Sequence, residues 1–142
     1  MTPTQFLSEI CEPSVGELDA NPASVRRAWV AVVSLLHFSD YLAADRRLKV
    51  ELVQAEMYGE FPDFELLRDI AIANKHFVLN RGTRRNGLSA QHTRIGQAAA
   101  FSDGSYYSDG TSHSDAADGV RVDFRGHLID IPSLCRRCVT YL

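Results

Sequence analysis

The sequence predicts an α+β fold, in which a mainly helical bundle of three to four helices precedes a small antiparallel β-hairpin or sheet and a short C-terminal helix. From residue 1 to about residue 80, apolar residues recur at intervals of three and four, the spacing of one helix face. From about residue 81 to residue 142, polar turns and alternating apolar residues are typical of strands. A chain of 142 residues is the usual size of one domain, so residues 1–142 are assigned to a single domain.

Start and stop signals divide the helical half into segments. Thr2-Pro3 suits the start of a short helix, which Pro13 interrupts. Asn21-Pro22 suits the start of a long helix over residues 23–44. Apolar residues cover so much of the circumference of this helix that it is predicted to be central and buried.

The next two helices are predicted over residues 46–58 and 64–79. Gly59 ends the first of them, and Pro62-Asp63 begins the second. Helical spacing turns the following residues of these two helices toward the core: Leu48, Leu52, Val53, Met57, Leu67, Ile70, Ala71, Phe77 and Val78.

Turn-forming residues dominate the start of the second half. Residues 81–91 are polar and contain two glycines, so they are predicted to form a loop. Residues 102–119 nearly repeat a Ser-Asp-Gly unit every six residues, and such units favour turns, so a mobile surface loop is predicted there. Repeated aspartates are also calcium ligands, but this spacing matches neither an EF-hand nor a glycine-rich nonapeptide repeat.

Strand-like alternation follows this loop. Residues 120–124 alternate apolar and charged side chains, and residues 127–131 suit a partner strand across a turn at Arg125-Gly126. Residues 95–101 are a candidate third strand, and Pro132-Ser133 begins a final helix. A small antiparallel sheet is therefore expected before the C-terminal helix.

Composition excludes several classes of protein. Hydrophobic residues make up 45% of the chain and charged residues 23%, values typical of a globular protein and not of a disordered one. The longest apolar stretch, Ala28–Leu36, is too short to span a bilayer. The N-terminus lacks the basic stretch and apolar run of a secretory signal, so we expect a cytoplasmic protein without a membrane partner.

The three cysteines are expected to be reduced thiols. An odd count without a secretion signal argues against a set of disulfides. Cys135 and Cys138 form one C-x-x-C pair, but a structural zinc site normally needs a second pair of ligands. We therefore expect both thiols to face the core, and no cofactor is predicted.

Positive charge is concentrated in residues 66–101. This segment holds six basic residues and one acidic residue, Asp69, although the whole chain has a formal net charge of −3. Such an excess suggests an acidic protein or a nucleic acid as partner. The alternative is that the segment packs against the acidic residues of the N-terminal half. The candidate partner-binding residues are Lys75, Arg81, Arg84, Arg85 and Arg94.

Two of the predicted helices carry a candidate metal site. His37 and Asp40 continue an apolar stripe of the long helix, so both are expected to point inward. Asp69 and His76 lie two turns apart on the helix over residues 64–79 and share a face. If the two helices pack antiparallel, these four side chains meet as a hydrogen-bonded network or as a metal site.

Arg85-Asn86 followed by His92 resembles the R-N-x-x-x-x-H motif of the HEPN superfamily of small helical bundles, many of which are metal-independent ribonucleases. The resemblance implies that Arg85 grips the scissile phosphate and that His92 moves protons. It covers at most the first two-thirds of the chain, and one more residue separates the pair here than in the family motif. Residues 68–77 also look like a helix found in small bacterial and phage proteins, some of them HEPN-like.

The leading functional expectation is a binding or interaction protein that contacts an acidic partner or a nucleic acid through residues 75–94. A HEPN-like metal-independent ribonuclease and a metal-dependent enzyme are the two alternatives, so an enzymatic activity stays open at this point. Other catalytic templates are absent from the sequence, which has no phosphate-binding glycine loop, no G-x-S-x-G and no H-E-x-x-H.

Overall fold

Helices precede a three-stranded antiparallel sheet and a C-terminal helix, which confirms the predicted α+β fold. A computed structural model describes residues 1–76, 87–96 and 119–142. The helices are α1 (Pro3–Phe6), α2 (Glu12–Ala20), α3 (Val25–Arg46), α4 (Val50–Glu60), α5 (Pro62–His76) and α6 (Ile131–Tyr141). The strands are β1 (Thr93–Gly96), β2 (Gly119–Phe124) and β3 (His127–Asp130).

The chain stays helical through Pro13, so the prediction that this proline interrupts the first helix is wrong. Leu7–Cys11 form a π-helical turn between α1 and α2, in which the Glu12 N–H donates to the Leu7 carbonyl. A proline lacks the N–H of a regular helix, and its ring clashes with the carbonyl one turn earlier. The wider turn directly before Pro13 relieves both conflicts.

The long helix α3 begins and ends slightly later than predicted. The Ser24 hydroxyl accepts a hydrogen bond from the Arg27 N–H at 3.3 Å and caps α3, whereas Asn21 caps the C-terminal end of α2. Arg47 adopts a left-handed conformation with φ of 55° and ends α3. The third helix, predicted to begin at residue 46, therefore begins at Val50.

Only part of the predicted inward face of α4 is buried. Val53 and Met57 are buried, but Leu48 and Leu52 are 47% and 59% exposed, so the prediction is wrong for both leucines. Gly59 also lies inside α4, which continues to Glu60. Some apolar residues of α4 therefore face solvent and not α3 or α5.

Helix α3 is central, as predicted, and it packs against α2, α4, α5 and α6. Its buried stripe includes Ala28, Ala31, Val32, Leu35 and Phe38. Leu67 and Ile70 are buried on α5, as their spacing predicts, while Phe77 and Val78 lie outside the described residues.

The sheet has the order β1-β2-β3, with Thr93 opposite Val122 and Val122 opposite Ile129. Val120 and Val122 are buried on the face that covers the helices. The opposite face carries two ion pairs, Arg94–Asp123 at 3.5 Å and Arg121–Asp130 at 3.8 Å. Alternation along the strands therefore separates an apolar inner face from a charged outer face.

Both strands of the predicted hairpin form, joined by Arg125-Gly126, whose φ angles of 53° and 79° suit a tight hairpin turn. The candidate third strand, predicted over residues 95–101, overlaps β1 only at its start. The remainder of that segment, most of the predicted loop at 81–91 and nearly all of the predicted loop at 102–119 lie outside the described residues.

Helix α6 begins at a carboxylate cap, because Asp130 Oδ2 accepts a hydrogen bond from the Ser133 N–H at 3.0 Å. Cys135 and Cys138 are fully buried, which confirms that they face the core. Burial raises the pKa of Cys138 to about 12 and raises the pKa of Cys135 well above its usual range. Both therefore remain neutral thiols at neutral pH and pack as small apolar side chains.

None of the helices in the described ranges 1–76, 87–96 and 119–142 has the length and apolar character needed to cross a membrane.

Candidate ligand-binding site

A cavity of about 300 Å³ lies where α3, α5, the inner face of the sheet and the start of α6 meet. Val25, Trp29 and Val32 line it from α3, while Val120 and Val122 line it from β2. Val25 is 47% exposed, so the cavity opens to solvent near the start of α3. The cavity is therefore an accessible recess beside the core.

Local periodicity explains why these side chains share one cavity. Residues 25, 28, 29 and 32 recur at helical spacing and form one stripe on the first two turns of α3. Ile70 and Asn74 are one turn apart on α5. Thr93 is the register partner of Val122, so it lies on the same face of the sheet as the buried valines.

Two polar side chains line the cavity. The Asn74 Nδ2 donates a hydrogen bond to the Ile70 carbonyl at 2.9 Å. This bond fixes the orientation of the amide, because the side-chain oxygen would repel that carbonyl. The second polar lining residue is Thr93: its hydroxyl oxygen is buried and forms no hydrogen bond within the described residues. Buried polar groups are nearly always paired, so this hydroxyl is an exception that calls for an explanation.

The cavity lining carries no ionisable side chain among the described residues: it consists of eight apolar residues together with Asn74 and Thr93. General acid–base catalysis needs a titratable group beside the reacting atoms. The lining is instead typical of a ligand pocket, which is mostly apolar with a few placed polar groups. The geometry of this site therefore favours binding.

The prediction that His37 and Asp40 point inward is wrong. Their side chains are 56% and 47% exposed, and they pair with each other across 2.7 Å between Nδ1 and Oδ2. Asp69 is fully buried, and its Oδ1 accepts a hydrogen bond from Arg68 Nη1 at 3.0 Å. The exposed His37–Asp40 pair therefore does not form a shared site with the buried Asp69.

The fourth predicted metal ligand, His76, ends α5, and its side chain lies outside the described residues. Within the described ranges, no group of three or more His, Cys, Asp or Glu side chains is placed to hold a metal ion.

His92, one member of the predicted catalytic pair, lies in the short 3₁₀ turn Ala90–His92 before β1. Its Nδ1 accepts a hydrogen bond from the Ser89 N–H at 3.1 Å, and its ring tilts against Phe124 with centroids 5.7 Å apart. One ring nitrogen therefore stabilises the turn, and Nε2 carries the proton in the neutral form. Arg85 lies outside the described residues, so the geometry of the pair stays a prediction.

Two of the predicted partner-binding residues are described, and both are exposed. Lys75 lies near the end of α5, and the Arg94 side chain is 66% exposed on the outer face of the sheet, where Asp123 partly neutralises it. Arg68, in the same basic segment, pairs with Asp69. The remaining candidates, Arg81, Arg84 and Arg85, lie outside the described residues.

A second, shallower depression lies between α6 and the start of α5, and its charges are already paired. Arg136 contacts Asp19 and Arg137 contacts Asp63, each at 2.6 Å. Beside them, the Tyr141 hydroxyl donates to Glu60 at 2.8 Å. The arginines of this depression therefore stabilise contacts between helices, and the depression is a weaker candidate for a site.

The cavity was not predicted from the sequence, although most of its lining residues lie on elements that were predicted. Comparison with protein-family models, with curated proteins and with solved structures finds no match to this chain. The resemblance to the HEPN superfamily therefore stays a prediction.

Proposed function

We propose that this protein binds a small, mostly apolar molecule in the cavity between α3, α5 and the sheet. The observation that carries the proposal is an accessible recess of about 300 Å³ whose described lining consists of eight apolar residues together with Asn74 and Thr93. A volume near 300 Å³ is at the lower end of the range of ligand pockets. At the packing density of protein interiors it holds roughly a dozen non-hydrogen atoms.

The cavity lining supports recognition of an apolar ligand. Four apolar lining residues are nearly or fully buried: Val32, Ile70, Val120 and Val122. Trp29 is half-buried and adds a large aromatic surface. A ligand that covers this surface gains free energy in proportion to the apolar area removed from water. Because Trp29 is the sole tryptophan in the sequence, its fluorescence reports on the cavity directly.

The first prediction is that a probe ligand binds and that narrowing the cavity mouth weakens its binding. Cyclohexylmethanol is expected to shift the Trp29 fluorescence saturably and to raise the melting temperature. Val25→Phe places a ring at the mouth and is expected to weaken the affinity by about tenfold, because the ring occupies part of the space that the probe needs. Fluorescence titration and thermal denaturation measure both effects.

Val30→Phe is the matched control. Val30 lies on the same helix and is 40% exposed, but it does not line the cavity, so its variant should bind as the wild type does. Absence of saturable binding to the wild type, or equal affinity of both variants, would contradict the proposal.

The basic segment supports a second proposal, that the protein also contacts an acidic protein or a nucleic acid through residues 75–94. Both described candidates, Lys75 and Arg94, are exposed, so both side chains are accessible to a partner.

For this second proposal, Lys75→Glu is expected to weaken binding of a fluorescent single-stranded RNA by about three- to tenfold at low salt, since it replaces an attractive charge by a repulsive one. Lys49→Glu is the control, because Lys49 is also exposed but lies in the acidic half. Fluorescence anisotropy at two salt concentrations measures the effect. Equal losses in both variants would show a general charge effect and contradict a localised surface.

A further inference from the structure

We propose that the ligand of the cavity is an uncharged molecule with an aromatic ring that packs against the indole of Trp29. This inference rests on the proposed function and names the chemical class of its ligand. It depends on the position of Trp29 in the cavity, on the absence of a ring contact to its indole within the described residues, and on the chemistry of the other lining residues.

Trp29 lies between the mouth of the cavity and its buried end. Exposure falls along the lining stripe of α3, from 47% at Val25 through the half-buried Trp29 to 2% at Val32. These three residues are spaced by four and three positions, so they follow one another along one face of the helix. A ligand that extends from the mouth toward Val32 therefore lies beside the indole.

The indole of Trp29 is also the one half-buried aromatic side chain of the described ranges that contacts no other aromatic ring. The other five each have such a contact: Tyr41, Tyr58, Phe61, Phe124 and Tyr141. Aromatic rings attract one another in both offset-stacked and edge-to-face arrangements, which corresponds to roughly two- to tenfold in affinity. The indole is therefore available to a ring that a ligand supplies.

The remaining apolar lining residues are aliphatic and stiff. One is Ala28, and the other six have β-branched side chains, which adopt few rotamers: Val25, Val32, Ile70, Val120, Val122 and Ile131. Such residues offer similar dispersion contacts to an aromatic ring and to a saturated ring of the same size. Trp29 is therefore the apolar lining residue that distinguishes between the two kinds of ring.

The described lining also disfavours an ionised ligand. None of its ten residues is ionisable, and Arg94, next to Thr93 in the chain, lies on the outer face of the sheet and pairs with Asp123. An aromatic ammonium would gain attraction to the indole, but it would lose its hydration without meeting an opposite charge. An aromatic carboxylate would lose its hydration in the same way. The cavity therefore favours an uncharged aromatic molecule.

Benzyl alcohol and cyclohexylmethanol test the inference, because they differ only in the aromaticity of the ring. Trp29→Leu removes the aromatic side chain, whereas Trp29→Phe retains one. Trp29→Leu is expected to lower the ratio of benzyl alcohol affinity to cyclohexylmethanol affinity by about three- to tenfold relative to the wild type. Trp29→Phe should leave this ratio within about twofold. Calorimetry measures the affinities, because both variants lack the sole tryptophan.

The ratio is the informative quantity, since a change in cavity size or in buried apolar area affects both alcohols. A purely structural role of Trp29 would weaken both by the same factor and leave the ratio unchanged. Benzylammonium tests the charge: it is expected to bind the wild type about tenfold more weakly than benzyl alcohol. Tighter binding of benzylammonium would overturn the uncharged class.

The outcomes separate this inference from the proposed function. If Trp29→Leu weakens both alcohols equally, or if Trp29→Phe lowers the ratio as much as Trp29→Leu does, the aromatic class is wrong. The cavity would still be a binding site, provided that Val25→Phe weakens binding of these probes. If neither alcohol binds the wild type, the proposed function itself is wrong, and this inference with it.

Discussion

Replacing Leu67 by alanine is expected to lower the free energy of unfolding by about 2–5 kcal/mol, whereas the same replacement at Leu52 should change it by less than about 0.5 kcal/mol. Leu67 is fully buried on α5, so its truncation leaves a cavity in the core. Leu52 is 59% exposed on α4, and little apolar contact is lost with it. Urea denaturation at neutral pH measures both changes.

The two leucines form a matched pair, because the residue type and the atoms removed are the same. The sequence pattern predicts that both face the core, and the structure separates them. A loss at Leu52→Ala as large as that at Leu67→Ala would contradict the described orientation of α4. Equal slopes of unfolding free energy against urea in the two variants would show that the comparison concerns stability and not the unfolded state.

The prediction at Leu52 fails because α4 is apolar on more than one side. In the sequence, Leu48 and Leu52 are four residues apart, as Val53 and Met57 are, so the two pairs look alike, although α4 begins only at Val50 and Leu48 lies before it. Periodicity identifies both stripes but cannot choose between them. The choice depends on where α3 and α5 pack against α4, which is a property of the tertiary structure.

The prediction for His37 and Asp40 fails for a related reason. Those residues follow Trp29 and Val33 along a stripe of large side chains, and both of these are only half-buried. The buried stripe of α3 contains several small residues, Ala28, Ala31, Ser39 and Ala43 among them. Small residues allow close packing of neighbouring helices, but they contribute little to an apolar sequence pattern.

Local chemistry made the other parts of the fold predictable. The turn at Arg125-Gly126 depends on residues that are adjacent in the chain, and so does the alternation of Val120 and Val122 in β2. The core position of Cys135 and Cys138 follows from their helical spacing. At Pro13 the rule that a proline interrupts a helix failed. That rule holds for a regular α-helix, whereas here a π-helical turn accommodates the proline.

The cavity was not predictable, because it depends on what four separate elements leave unfilled. Val25 and Trp29 on α3 meet Val122 on β2 only after residues nearly one hundred positions apart have been brought together. Its polar groups are equally non-local. Thr93 and Asn74 line one cavity only after β1 and α5 have packed together, and no spacing in the sequence reports that arrangement.

Alkaline pH is expected to destabilise the protein, with Cys135 as an identifiable contributor. Burial raises the pKa of this thiol well above its ordinary value of 9.0, and the neighbouring Cys138 raises it further. A group whose pKa is raised by folding contributes stability that is complete below its unfolded pKa and is lost as the pH rises toward its folded pKa. The loss from Cys135 therefore begins near pH 9, because the unfolded thiol ionises there while the folded thiol keeps its proton.

While the Cys135 thiol is ionised in the unfolded chain but protonated in the folded protein, it lowers the free energy of unfolding by about 1.4 kcal/mol per pH unit. This holds between roughly pH 9.5 and pH 11. Cys135→Ala is expected to make the dependence on pH less steep by about that amount, as measured by urea denaturation under reducing conditions at several pH values. Val139→Ala, on the same helix, also removes core volume but no titratable group, so its slope should equal that of the wild type. An unchanged slope in Cys135→Ala would mean that the thiol ionises as readily in the folded protein as in the unfolded chain, and that the C-terminal helix does not shield it from water.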